Sequence, residues 1–327
     1  MRSTPRLYAT TWLALLSGLC ACATSPTHLT VQVSPVVVDP ERPGRRQLGR
    51  LTLLAAMALR SDHPRFGGFS GLEIGADGKT LIAVSDRGHW LSARLQLAAD
   101  GTLQRLEQLA FQPILDDAGR PVHAPLYDAE SITRDLDGSF LVGFEWNHRI
   151  WRYRPDLATG KPVELRLPPE LARAPGNGSL ESLAVLADGR LLFICEHYRN
   201  PDETLRGWVG REGAFSPLSY VTSDDFVPTD LALLPGSQQV LVLERAFGLL
   251  RGQRSRIRSL PVSALRPGAR LEPRELARLG SPLVVDNFEG MAVQRHPTGA
   301  LVYLISDDNF SPLQRTLLYQ FRLVKQD

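Results

Sequence analysis

The sequence predicts an all-β fold, a β-propeller of four-stranded antiparallel blades, and three observations carry that prediction. No long stretch shows helical periodicity. Short runs rich in Val, Leu, Ile and Phe alternate with Asp-Gly, Pro-Gly and Thr-Gly turns. A unit of about fifty to sixty residues recurs, in which an acidic residue set in a small apolar strand is followed by a turn and then a strongly apolar strand.

The chain opens on an address. Arg2 and Arg6 precede an apolar run, Leu7 to Leu19, too short to anchor in a bilayer as a stable span. The run ends in Leu19-Cys20-Ala21-Cys22, the Leu-x-small-Cys shape of a lipoprotein cleavage box, so residues 1–21 are expected to be a signal peptide and Cys22 the diacylated residue. Cys20 fits less well, because Leu19 would stand directly before it; cleavage by the general peptidase is the alternative. No aspartate follows Cys22 in Ala23-Thr24-Ser25, which points to the outer membrane of a Gram-negative cell, with the domain facing the periplasm and meeting the membrane through its lipid only. Residues 22–47 then read as a lipidated tether, the least folded part despite a β-like run from Leu29 to Val38, and residues 48–327 as the propeller.

Five copies of the unit follow. The first has Ser70-Gly71-Leu72-Glu73-Ile74, the turn Asp77-Gly78, and Leu81 to Asp86. The second has Ala129-Glu130-Ser131-Ile132, Asp137-Gly138, and Phe140 to Glu145; the third has Leu180-Glu181-Ser182-Leu183-Ala184, Asp188-Gly189, and Leu191 to Glu196. The fourth has Thr229-Asp230-Leu231-Ala232-Leu233, Pro235-Gly236, and Val240 to Glu244, and the fifth has Phe288-Glu289-Gly290-Met291-Ala292, Thr298-Gly299, and Leu301 to Asp307. Two more strand-like runs follow each hairpin, as in Arg149 to Arg154 and Val163 to Leu167, which makes four strands per blade. The last copy lacks its fourth strand, while an orphan strand, Leu51 to Leu59, precedes the first. Lending it to the last blade would close the ring and leave no open edge. Five blades are counted in this way; a sixth, degenerate blade drawn from the N-terminal segment and longer loops is the alternative.

First and second strands of a blade are antiparallel, so the start of one and the end of the other lie at the same end of the molecule. Glu73, Glu130, Glu181, Asp230 and Glu289 are assigned to the first place and Asp86, Glu145, Glu196, Glu244 and Asp307 to the second, which puts up to ten carboxylates at one mouth of the channel. So many like charges require bound cations, shared protons or arginine partners. Three readings follow: a divalent metal, for which hard oxygen ligands suit calcium; a structural ring whose first-strand acids accept hydrogen bonds from the next blade; or proton transfer by a carboxylate or histidine. In the metal reading Glu73, Asp86, Glu130, Glu181, Glu289 and Asp307 are the ligands, with Asn147, Asp308 and Asn309 as further oxygen donors. Arg87, His148, His197 and Arg245 are the candidates to hold an anionic substrate or move protons, with His89, Arg149 and Arg199 as neighbouring cations. His63, His123 and His296 fall in proline-containing loops and read as surface residues.

Several functions are argued against. The chain has 37 basic and 35 acidic residues, and losing Arg2 and Arg6 with the signal peptide leaves an even balance, which speaks against nucleic acid as a partner. With Cys20 cleaved off and Cys22 lipidated, Cys195 alone remains; no intrachain disulfide can form, and its apolar run reads as the site of a buried, inert thiol. Gly68-Phe69-Ser70-Gly71 is one residue short of a Gly-x-Ser-x-Gly elbow. No His-Glu-x-x-His motif, phosphate loop or dinucleotide fingerprint occurs. Trp90, Trp146, Trp151 and Trp208 are scattered and read as blade packing rather than a sugar platform.

The motifs Phe66-Gly67-Gly68-Phe69-Ser70-Gly71-Leu72-Glu73, Tyr127-Asp128-Ala129-Glu130-Ser131-Ile132 and Asn287-Phe288-Glu289-Gly290-Met291-Ala292, with Ser85-Asp86-Arg87-Gly88, resemble the phytase-like family, whose members are often labelled as having esterase-like activity of phytase. The resemblance spans about Phe66 to Leu323. It implies a propeller and, by analogy with calcium-dependent propeller phytases, a metal-assisted phosphoesterase, but it supplies no catalytic set to transfer. The expected function is therefore a lipid-anchored, monomeric hydrolase that binds calcium at the acidic mouth and cleaves a small anionic ester, a phosphate ester or a relative of one. Its rivals are a non-catalytic scaffold lipoprotein that engages an envelope component, and a calcium-dependent lactonase or arylesterase.

Overall fold

The computed structural model describes residues 27–155 and 160–324, so the expected signal peptide with Cys20 and Cys22 lies outside the described residues. Among the described residues no helix is long and apolar enough to cross a membrane. The strands form five sheets. From the inside outwards, blade 1 is Phe69–Ile74, Thr80–Ser85, His89–Leu97 and Leu103–Pro113; blade 2 is Ala129–Arg134, Phe140–Phe144, Arg149–Tyr153 and Val163–Glu164; blade 3 is Ser182–Val185, Leu191–Arg199, Leu205–Arg211 and Ala214–Tyr220. Blade 4 is Val227–Leu233, Gln239–Gly248, Gly252–Pro261 and Arg274–Leu279, and blade 5 is Asn287–His296, Gly299–Asp307, Thr316–Val324 and Leu51–Arg60. Each inner strand touches the inner strands of the blades on either side, and the fifth returns to the first, which makes a closed five-bladed propeller.

The apolar runs of the repeats pack between blades. Leu241, Leu243 and Ile257 of blade 4 meet Met291, Val302 and Phe321 of blade 5, and Trp90 and Val84 of blade 1 meet Ile132, Val142 and Tyr153 of blade 2; similar clusters fill the other interfaces. Near the axis the approach is backbone to backbone. A Cβ on Gly290 would stand 2.9 Å from the Leu72 nitrogen and 2.7 Å from Ile305 Cγ2, so no larger residue fits where blade 5 meets blade 1.

The orphan strand closes the ring as expected: Leu51–Arg60 pairs antiparallel with Thr316–Val324, from Leu51 opposite Leu323 to Leu59 opposite Thr316. The segment before it is more ordered than a tether. Gln32–Pro35 adds a further strand outside Leu51–Arg60, Thr27–His28 pairs with the outer strand of blade 1, and Val38 and Asp39 are buried. Its β-like run had an unpaired strand edge to dock on, and an edge left open invites pairing. Deleting the chain up to Arg60 would remove Leu51, Leu53, Met57 and Leu59, all buried. Burial of four such side chains is worth about 6 to 12 kcal/mol, comparable to the whole stability of a domain. The truncated chain is expected to lose its cooperative thermal transition, as read by near-ultraviolet circular dichroism, and a retained transition would show that the ring closes without this strand.

Candidate active site

Register decides which acids share a place. The first strand of a blade bulges near its start, so that Ser70 lies between the paired residues Phe69 and Gly71, Glu130 between Ala129 and Ser131, Thr229 between Pro228 and Asp230, and Glu289 between Phe288 and Gly290. Glu181 holds the matching place just before the paired stretch of blade 3. At the end of the second strand the matching residues are Asp86, Glu145, Glu196, Arg245 and Asp307. A bulge frees its extra residue from the ladder. The mouth therefore gathers Glu130, Glu181 and Glu289 with Asp86, Glu145, Glu196 and Asp307, and a single arginine, Arg245, stands where blade 4 would carry the eighth acid.

Three of the ten expected acids belong elsewhere. Glu73 lies three residues past the bulge and accepts hydrogen bonds from the Ile74 nitrogen (2.9 Å) and, across the blade boundary, the Arg134 nitrogen (3.1 Å). Both of its oxygens are thus taken by backbone donors, and it straps blade 1 to blade 2. Asp230, one residue past the bulge, does the same between blades 4 and 5, accepting from the nitrogens of Leu231 (2.7 Å) and Met291 (2.6 Å). Glu244 precedes the mouth position and turns into the interface of blades 3 and 4, where Tyr220, Arg256 and Arg258 bond to it. Asp308 is likewise taken, accepting from the nitrogens of Gly68 and Phe310 (both 3.1 Å) rather than standing free as an oxygen donor. Gly68 is fixed by the same crowding: at φ +63°, a Cβ there would lie 2.0 Å from Asp86 Oδ1.

The closest group of acids includes one that the repeat alignment passed over. Oxygens of Asp128, Glu130 and Glu145 all lie within 4.8 Å of one another. Asp128 sits two residues before Glu130, and alternate residues of a strand face the same way; Asn287 stands in the same relation to Glu289 and donates to its Oε1 at 2.7 Å. That i, i+2 pattern was the available signal. Glu145 is oriented by blade 3, accepting from the nitrogens of Gly178 (2.8 Å), Ser179 and Leu180 (3.3 Å). Glu130 and Glu181 are 8% and 4% exposed, and each hydrogen-bonds to a neighbouring acid, Glu130 to Asp128 and Glu181 to Glu196.

The electrostatics follow from burial and crowding. Burial, then the charges of Glu181, Asp128 and Glu145, hold the Glu130 carboxyl well above its ordinary pKa, and burial with Glu196 and Glu145 does so for Glu181. Asp86 is pushed up to about 7 by burial and by Asp128 and Glu289, and Asp307 to about 9 by burial, Glu289 and Asp86. Glu145 rises to about 7, burial outweighing its backbone donors. Burial also pushes on Glu196, but its hydrogen bond from His197 and the charge of Arg245 hold it below the usual range. Arg245 reaches Glu196 Oε1 at 2.8 Å, Glu289 Oε1 at 3.4 Å and Asn287 Oδ1 at 3.3 Å. It is the counter-charge of one half of the ring and not a free anion binder.

The other expected cations divide sharply. Arg87 is exposed beside Asp86, its guanidinium 3.1 Å from the centre of the Phe310 ring, and it forms no ion pair among the described residues. Arg149 is buried, its guanidinium 4.1 Å and 4.2 Å from the centres of the Phe144 and Trp151 rings, and it donates to the carbonyls of Leu126 and Asn147, so it is structural. His89 stacks on Phe111 with centroids 4.7 Å apart, and burial pulls its pKa down to about 4, so it carries no charge to offer. Arg199 holds the Glu203 carbonyl at 2.7 Å. His148 Nδ1 lies 2.7 Å from Ser179 Oγ and burial lowers its pKa, while the hydrogen bond to Glu196 raises that of His197. His148 is thus engaged by Ser179 and His197 by Glu196. Cys195 is fully buried, and burial pushes its thiol far up. Trp90, Trp151 and Trp208 are packing residues as expected, but Trp146 is 61% exposed.

A cleft of about 510 Å³ opens at this end, lined by Asp86, Arg87, Ala124, Pro125, Tyr127, Asp128 and Trp146. Another, of about 570 Å³, runs between blades 4 and 5 among their first turns and has no acid in its lining. The acids of the mouth border the former.

Fold and site together define a five-bladed propeller whose channel mouth is a crowded ring of carboxylates beside an aromatic cleft. The chain belongs to the phytase-like family, described by esterase-like activity of phytase, whose model matches residues 64–310. No curated protein sequence matches it. Among solved structures it is similar to the catalytic domain of the Coprinopsis cinerea GH62 α-L-arabinofuranosidase, at 14% identity over 84% of this chain and 97% of that one with a TM-score of 0.51, a likeness of fold alone. A gluconolactonase from Xanthomonas campestris aligns at 14% identity over 89% of this chain and 95% of its own, with a TM-score of 0.42.

Proposed function

We propose that this propeller hydrolyses small anionic esters, phosphate esters or their relatives, at the acidic mouth with the help of a divalent cation, calcium in the first instance. The observation that carries this reading is the group Asp128, Glu130 and Glu145: three hard oxygen donors within 4.8 Å, with Glu130 and Glu145 buried. Such a set fits a cation that prefers oxygen and tolerates irregular geometry. When bound, the cation supplies Lewis-acid stabilisation of charge developing on the ester oxygens.

The chain's own residues do the rest. Arg87, uncommitted to any carboxylate, takes the anionic group. Asp86 faces the same cleft with a pKa near 7, where a carboxyl can give a proton to a leaving oxygen and recover it at neutral pH. Arg245 neutralises Glu196 and Glu289 and keeps that side of the ring from repelling the substrate. The sequence of residues 19–25 supports placing the domain on the periplasmic face of the outer membrane, tethered by lipid on Cys22.

Asp128→Asn and Glu130→Gln are each expected to lower calcium-dependent hydrolysis of a phosphate monoester by about 100-fold or more, since removing groups that merely orient metal ligands already reduces activity by about 10- to 100-fold. The same variants are expected to lose the rise in melting temperature that calcium gives the unmutated protein. Full calcium binding in both variants would sink the assignment.

A further inference from the structure

We infer that the cleft beside Asp86 and Asp128 is a subsite for a planar aromatic ring on the ester, with Trp146 as its floor and Arg87 as the clamp on the anion next to it. The inference rests on the hydrolase reading for the chemistry, but its own ground is the cleft.

Trp146 joins the second and third strands of blade 2 at φ +59°, a backbone region that bulky side chains rarely adopt. Its nitrogen donates to the Gly176 carbonyl at 2.8 Å. The indole lies over Gly176, where an added Cβ would come within 3.0 Å of Cε3 and displace it. One side of the ring is thus seated on backbone, and 61% of the residue still faces solvent. Its N–H lies within reach of the Asp128 carboxyl, opposing the upward pull of burial there. Pro125, Ala124 and Tyr127 complete the cleft, and its charged groups are the two aspartates and Arg87.

Those walls suit a flat apolar ring better than a hydroxyl-rich one, which would need a spread of neutral donors and acceptors. A ring stacked on the indole places its ester substituent beside Asp128 and Asp86, while the unpaired Arg87 guanidinium on Phe310 offers two parallel N–H bonds to a phosphate or carboxylate. Hydrolysis of such an ester adds one water, breaks the bond to the ring oxygen and releases a phenol that keeps the proton.

The test uses the full chain with Cys20 and Cys22 changed to Ser, so that no acyl chain is present, and measures phenyl phosphate and methyl phosphate by titration calorimetry with calcium. Phenyl phosphate is expected to bind about tenfold more tightly, the scale of one aromatic stack. Trp146→Ala should shrink that advantage to about twofold while methyl phosphate affinity stays within about threefold, and Trp146→Phe should keep most of the advantage. Equal or undetectable affinity for the two phosphates, or an advantage that survives in Trp146→Ala, overturns the inference. An advantage that behaves as expected without turnover of either ester leaves the ring subsite standing and removes the hydrolase reading instead.

Discussion

With calcium chelated, the protein is expected to lose stability steadily as pH rises from about 4 to about 9, and calcium added at pH 8 is expected to restore most of the loss. The acids of the mouth are raised in the folded state: Asp86 and Glu145 to about 7 and Asp307 to about 9, with burial the first cause in each. The inter-blade strap Glu73 is raised to about 7 in the same way. A group raised in the folded state keeps its full stabilisation below its unfolded pKa and loses it as pH climbs through the folded one, because the unfolded chain releases that proton more readily. For Asp86, Glu145 and Glu73 the window runs from about 4 to about 7, and Asp307 extends it to about 9. Asp86 alone corresponds to about 4 kcal/mol. Glu196, held low by His197 and Arg245, works in the opposite direction, so the net fall is smaller than the summed shifts. A cation at Asp128, Glu130 and Glu145 offsets the repulsion once those groups ionise, so its effect on the melting temperature should grow with pH. Melting curves at pH 5, 7 and 8.5 with chelator and with calcium decide this. A chelated protein more stable at pH 8.5 than at pH 5 would mean that the ring is neutralised internally and needs no cation.

Much of this fold can be read directly from the repeats, and the reason is physical. Five hairpins with the same apolar period announce five equivalent blades, and an unpartnered strand at one end with a missing strand at the other announces the closure between Leu51–Arg60 and Thr316–Val324. Which acids meet is a finer matter. Strand side chains alternate faces, so a shift of one residue moves a carboxylate from the mouth to the blade interior. Glu244 and Arg245 show this: the repeat pattern aligns Glu244 with Glu196, but the pairing of Pro228 with Glu244 puts Arg245 at the mouth. Glu73 and Glu130 differ for the same reason, since the bulge falls at Ser70 in one blade and at Glu130 in the other. Asp128 was within reach of an i, i+2 argument, whereas the exposure of Trp146 depends on a positive φ and on Gly176, neither of which any local pattern announces.

Glu244→Ala is expected to destabilise the protein by about 3 to 5 kcal/mol, the usual result of breaking a buried ion pair from one side. Glu244 is fully buried, accepts from Tyr220 Oη at 2.6 Å and Arg258 Nη1 at 3.2 Å, and pairs with Arg256 Nε. Arg256 is itself 3% exposed, its remaining bonds run to Ser223, and its guanidinium lies 4.2 Å from the centre of the Phe226 ring. Removing the carboxylate leaves Tyr220 Oη and Arg256 Nε without an acceptor inside the interface of blades 3 and 4, and takes the counter-charge from two arginines that keep only Ser223 and the carbonyls of Val221 and Pro273 as hydrogen-bond acceptors. In a domain of this size, such a loss lowers the melting temperature by roughly 6 to 20 °C. Replacing the cluster together, with Glu244→Leu, Arg256→Met and Arg258→Met, should recover most of that loss, because the charges then leave with their partner. Calcium affinity should be unchanged in the triple variant, since none of the three reaches the mouth. Urea unfolding of the single and triple variants, with calcium titrations alongside, separates the outcomes. A triple variant less stable than Glu244→Ala would mean that the ion cluster is favourable in itself, and altered calcium affinity would return Glu244 to the ring of the channel.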